Sequence, residues 1–445
     1  MKVSGLLLAV GILAALGGGV YWSELKRKAD EGKPAADAPP KILTIAEDQF
    51  KELRLEKTGG EPILLTRGEA DKWAIQEPTA LPADQDSVGS LVSTLASLAS
   101  DRLVEEKAAD LAVFGLHDPT LEVAITKKDG KTEKLLVGDD SPTGSSVFAK
   151  LENDPRIFTI ATYVKSSLDK KTADLRDRRL LTFDSDKLTR VELAAKGPSI
   201  EFGKNNRNEW QILKPRPLRA DGSQVEELIR KLKDAKMDLA DEEATKKAAA
   251  AFASGARVAV VTVSDANGNQ QIEVRRDSSK NYYAKSSVVP GLYKVGSDVG
   301  EGLDKDLDSF RNKKLFDFAW NEPTKVEIRD GDKQASYQKS GEKWMAGSKQ
   351  MDSASVQNLI DKLRDLSAVK FAVTGGGQPV FEAAVTSNDG KRVEKVVVAK
   401  QDAAHFATRA NEAGVYELDD KTVEEMRKAA ADIKEHQPPK DEKKK

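Results

Sequence analysis

The sequence predicts an α+β protein in which an N-terminal transmembrane helix is followed by three tandem repeats of a mostly antiparallel sheet packed on a helix. Three observations carry this expectation. A phrase opening on tryptophan recurs at Trp73, Trp210 and Trp344, each time leading to an aspartate and an apolar stripe. Behind each stripe, Asp-Gly or Asn-Gly turns separate alternating apolar runs. Residues 3–22 form an uncharged, largely apolar run of 20. Self-similarity at a long period decides architecture before any local reading does.

Residues 1–4 are a short flank and 5–22 the anchor, a length that crosses a bilayer core of about 30 Å. Lys2 precedes the run, and Tyr21 and Trp22 close it as interfacial aromatics do. A cleaved secretory signal is the competing reading, with Ala15-Leu16-Gly17 as the cleavage site; the run exceeds the usual apolar region of about 7–15 residues, which favours an anchor. Lys26, Arg27 and Lys28 outnumber Lys2, and that count alone would keep the body in the cytoplasm. The build of a short charged start, an apolar run and a long soluble body is that of an export signal, so the expected location is the inner membrane, single-pass, with the body facing the periplasm. Residues 23–41, rich in Pro, Ala and charge, read as a semi-extended spacer.

Lys and Arg total 71 against 73 for Asp and Glu, a net charge of -2 with both signs interleaved, so no basic footprint for nucleic acid exists. The absence of cysteine excludes disulfides, thiol catalysis and cysteine metal sites.

The modules are expected at 42–172, 173–306 and 307–434, with a charged tail over 435–445. Leu168, Leu175 and Val191 align with Leu303, Phe310 and Val326, all 135 positions apart, which fixes one register for the second and third copies. Each copy begins with short strands, as at 190–193, 200–202 and 210–213 in the second, where apolar residues alternate between turn residues. A helix follows. Asp84, Asp221 and Asp352 stand where an N-cap carboxylate accepts first-turn N–H groups, and Gln224 is the expected capping-box partner. The stripes behind them, with Val88 and Leu95, Val225 and Leu232, and Val356 and Leu363 as core positions, have helical spacing. Hairpins come next, turning at Asp129-Gly130, Asn267-Gly268 and Asp389-Gly390, where both central residues are expected at positive φ. Two further strands close each unit, and a polar helix links it to the next. The three indoles are expected to seal helix against sheet.

The repeats show no shared polar constellation, and no catalytic, cofactor-binding or metal-ligating residue stands out. His117, His405 and His436 are scattered, without the spacing that zinc or acid–base work needs. Asp265 to Asn269 has the alternating oxygens of a calcium loop but its glycine is misplaced, so it reads as a turn. Asp304, Asp306 and Asp308 read as a solvated face of the linking helix. Ser167-x-x-Lys170 and Lys57-Thr58-Gly59 echo penicillin-recognising enzymes in the wrong order. Gly375-Gly376-Gly377 reads as a flexible loop.

The phrase Phe114-Gly115-Leu116-His117-Asp118-Pro119, preceded by Trp73 to Pro78 and the Asp84 helix, resembles a bacterial domain-of-unknown-function family over most of residues 42–320. In the second copy the phrase becomes Phe252-Ala-Ser-Gly255 and in the third Phe371-Ala-Val-Thr374. Members of that family are membrane-anchored and often encoded beside gliding-motility-type ABC transporters. The resemblance therefore implies an N-terminal span, an extracytoplasmic body and a protein partner in an envelope assembly, and it supplies no catalytic residues. The expected role is non-enzymatic binding. An envelope hydrolase with a site between modules, or a structural spacer, are the alternatives.

Overall fold

A computed structural model describes residues 40–240, 242–318 and 321–437. The expected anchor at 5–22, its flank, nearly all of the spacer and the end of the tail lie outside the described residues. Among those described, no helix is long and apolar enough to cross a membrane. The chain divides into two compact units, Met1–Asp177 and Arg178–Lys445; the first holds one sheet and the second holds two.

In the first unit, strands β1 (Phe50–Lys57), β2 (Ile63–Arg67), β3 (Trp73–Glu77) and β4 (Leu81–Pro82) form a meander that leads into helix α1 (Gln85–Ala96). Strands β5 (Arg102–Glu105), β6 (Leu121–Lys127), β7 (Thr132–Asp140), β8 (Ser146–Leu151) and β9 (Ile157–Ala161) follow, then α2 (Thr162–Leu168). The order β4-β3-β2-β1-β6-β7-β8-β9-β5 makes one continuous sheet, because β1 pairs antiparallel with β6 across the helical crossover.

The second unit repeats this plan twice. Strands β10 (Arg190–Ala194), β11 (Ile200–Lys204), β12 (Trp210–Lys214) and β13 (Leu218–Arg219) precede α3 (Gly222–Asp234) and α4 (Glu242–Ser254). Then come β14 (Ala256–Asp265), β15 (Gly268–Arg276), β16 (Tyr282–Ser286), β17 (Leu292–Val295) and α5 (Ser297–Leu303). The last copy runs β18 (Lys325–Asp330), β19 (Lys333–Ser340), β20 (Lys343–Ala346), β21 (Lys349–Gln350), α6 (Ser353–Asp365), β22 (Lys370–Ala372), β23 (Gln378–Ser387), β24 (Arg392–Gln401), β25 (Ala404–Arg409), β26 (Val415–Leu418) and α7 (Asp420–Ala431).

Each main helix follows from its cap and stripe. Asp84 accepts the Ser87 N–H, Asp221 those of Ser223 and Gln224, and Asp352 that of Ser355. Val88 and Leu95, Val225 and Leu232, and Val356 and Leu363 are all fully buried. Gln224 does not form the expected capping box. The Asp221 N–H is already used by the Phe310 carbonyl at 2.8 Å, and Gln224 instead accepts from Lys305 at 3.0 Å. Asp84 and Asp352 likewise donate their N–H to Leu175 and Lys434, so the exit of each module is fastened to the helix cap.

Trp73, Trp210 and Trp344 lie in the same apolar clusters as their helices' stripes. Gln85, the first residue of α1, clamps both backbone groups of Trp73 with its amide. Arg67 lies over the Trp73 ring and Lys204 over that of Trp210, each capping the indole face turned to solvent.

Three local expectations are corrected. Only Gly130 and Gly268 adopt positive φ in the first two hairpin turns, because one glycine suffices where the loop carries the extra residue; the Asn388-Asp389-Gly390 turn alone has a positive run. Asp304 follows α5 and Asp306 caps a short turn at Ser309, so those aspartates do not share a helix face. Two of the three loop glycines are closely approached: a Cβ on Gly375 would lie 2.5 Å from Val415, and one on Gly377 2.1 Å from the Lys400 carbonyl, while Gly376 is open.

Candidate functional cleft

Between the sheets of the second unit lies a polar cleft of about 570 Å³. One wall is the β11–β12 turn, β12 and the start of α3; the other is the segment after Arg311 and the β23–β24 hairpin. Its position follows from the chain path. Arg311 bridges to Ala220 and Lys314 to Ser367, so only Asn312 and Lys313 separate pairing with one sheet from pairing with the next.

The floor is a charge network centred on Arg219. Its guanidinium donates to Asp317 at 2.5 Å, Glu412 at 2.8 Å, the Lys314 carbonyl at 2.6 Å and the Tyr416 hydroxyl at 3.0 Å. Burial alone would lower the Arg219 pKa, but Asp317, Tyr416 and Glu412 outweigh it and raise it above the ordinary arginine value. Tyr416 is pushed up to about 12, chiefly by burial, with its hydroxyl donated to Glu412. Asn312 completes the Asp317 carboxylate at 2.8 Å. Every strong donor and acceptor here is used, which is the mark of a brace.

The rim differs. Arg392 reaches Glu394 at 3.3 Å, Glu209 at 3.5 Å and Asp317 at 3.7 Å, all long. Glu394 is 5% exposed; its Oε1 accepts from the Asp317 N–H and Arg409, while its Oε2 has no hydrogen-bond partner. Burial alone would raise the Glu209 pKa, yet the Asn205 amide and the charges of Arg207 and Arg392 hold it below the usual range. Lys391 and Glu226, on opposite walls, are exposed and have no ion-pair partner among the described residues.

The residues singled out from the sequence fall elsewhere, apart from Trp210, whose edge lines the cleft. His117 and His436 are exposed. His405 is buried, with Nδ1 2.6 Å from Asp420. Ser167 donates to the Tyr163 carbonyl in its own helix, and Lys57 pairs with Asp169, so the serine–lysine pattern does not assemble. No group of metal-ligating side chains forms among the described residues. One absence in the sequence reading is corrected: the outer faces of the first and third sheets share a polar set, Glu122 with Lys134 beside Ala124 and Glu382 with Lys395 beside Ala384. Cross-strand register brings these residues together, and sequence spacing hides it.

The Phe-Gly-Leu phrase also has a physical basis. Gly115 takes φ 64°, and a Cβ on Gly138 of β7 would lie 2.2 Å from the Phe114 carbonyl, so the turn seats directly on the strand. Phe114 meets Phe148 edge-on, and Leu116, Phe148 and Ile157 form a second small core on the sheet's far face. In the middle copy α4 does this work, packing Ala248 and Phe252 on Tyr283.

The pattern defining the domain of unknown function DUF4340 matches residues 73–209 and 210–387, more than half of the chain. The chain belongs to this family. Each DUF4340 match opens on a tryptophan, Trp73 or Trp210; the first runs from β3 past β11 and the second from β12 through β23. No curated protein and no solved structure matches the chain. The cleft is lined by the end of the first DUF4340 match, from Asn205 to Glu209, by the second match and by the residues that follow it.

Proposed function

We propose that this DUF4340 protein is a non-enzymatic binding component of an envelope assembly, anchored by residues 5–22 with its body outside the inner membrane, and that the cleft of the second unit is its binding site. The carrying observation is the rim: an arginine held only by long contacts, with exposed Lys391 and Glu226 free of ion-pair partners among the described residues, beside a space of about 570 Å³. A guanidinium whose contacts are long keeps N–H donors that a ligand can take up. The apolar run at 3–22 supports the anchor. The family resemblance supports a partner linked to an ABC transporter.

Val393 is 65% exposed at the cleft mouth and suits a photo-crosslinking side chain. In intact cells, crosslinking from position 393 should give an adduct in the membrane fraction, and crosslinking from exposed Val113 should not. A chain released from membranes by alkaline washing removes the anchor. Absence of any adduct specific to position 393 removes the cleft.

A further inference from the structure

Two charges of the cleft, Lys391 and Glu226, have no ion-pair partner among the described residues, and Arg392 between its acids is held only by long contacts. Arg392 has five N–H donors in a planar fork, yet its three carboxylate contacts lie at 3.3, 3.5 and 3.7 Å. Lys391 precedes it in the chain, and Glu226 stands on the opposite wall, both without ion-pair partners among the described residues. The internal repeat supplies a control. Thr182 and Gln270 in the second sheet occupy the places of Asp317 and Glu394 in the third, and the Gln270 amide accepts the Thr182 N–H at 2.8 Å as Glu394 accepts that of Asp317 at 2.9 Å. The fold at this place asks only for a neutral acceptor. The charges of Asp317 and Glu394 are additional to it.

We infer that the cleft binds a short zwitterionic peptide, with its carboxylate on Arg392 and Lys391 and its cationic group on Glu226; this rests on the cleft being the binding site. A guanidinium fork matches a carboxylate in two parallel hydrogen bonds. Glu209, Asp317 and Glu394 lie around Arg392 and offset much of its field for any anion, which penalises a dianion such as phosphate more than a monoanion that brings its own cation to Glu226. Val393 and the Trp210 edge supply apolar contact for a side chain.

Calorimetric titration of the full chain with tri-alanine, its C-terminal amide, its N-acetyl form and inorganic phosphate tests this. Tri-alanine should bind saturably. Amidation and Lys391→Gln should each weaken it by about tenfold or more. N-acetylation should weaken binding to the native chain and have no further effect in Glu226→Gln. Both substituted positions are exposed, so the variants keep the fold. Equal affinity for acid and amide overturns the inference. Lys391-dependent binding of phosphate without tri-alanine also overturns it, while leaving the cleft as a binding site. Failure of every probe overturns the ligand class, and crosslinking from position 393 decides the cleft separately.

Discussion

Glu201 in β11 concentrates two cations on one buried carboxylate, Lys214 at 2.8 Å and Arg190 beside it. The Lys214 hydrogen bond outweighs burial and, with Arg190, holds the Glu201 pKa below its ordinary value. A depressed folded-state pKa contributes stability that is present above the unfolded value of about 4.3 and is lost as pH falls through the folded one. Glu201→Gln should therefore be destabilising at neutral pH, with the gap closing in acid; urea unfolding at both pH values checks this, and a pH-independent gap contradicts it. Residues of this kind were not legible in the sequence. Glu201, Lys214 and Arg190 meet through strand register, and nothing in their spacing marks one acid among 73 as special. The tryptophans and helix stripes were legible because their periodicity is itself the physical cause of burial.

Elements were readable where local chemistry sets them, and hidden where a neighbour does. The three aspartate caps needed only a short polar side chain before an apolar stripe. The capping box at Gln224 failed because a distant carbonyl, that of Phe310, took the N–H first. Helix α4 has no counterpart in the sequence expectations, although its alanine-rich run carries strong helix propensity. In the first and third sheets the corresponding segment is β5 or β22, paired with β9 or β26. Asp221→Ala removes the carboxylate that holds two first-turn N–H groups and should cost about 0.5–2 kcal/mol. Chemical denaturation of the second unit measures it, and no change would mean that the Phe310 contact alone fixes the helix start.

For the whole molecule, three antiparallel sheets of one plan, each closed on its own helix, account for the family match and for the recurrence of tryptophan in the core. The joint of the second unit is where the repeat stops repeating. Arg219 has Pro82 and Gln350 as its counterparts before the cap aspartates, so one signal for the cleft was available as a departure from the pattern. Its meaning required Asp317, Glu412 and Tyr416, which lie roughly 100–200 positions away in sequence and cannot be paired by spacing. On this reading the joint holds a brace and, beside it, charges kept for a ligand. Comparing Arg219→Gln with Arg392→Gln by hydrogen exchange of the second unit tests it most directly. Arg219→Gln should cost about 3–5 kcal/mol, because it removes the shared cation from two half-buried carboxylates. Arg392→Gln should cost less, because its contacts are long and Arg409 still donates to Glu394. Equal losses for the two would place Arg392 in the brace and contradict the claim.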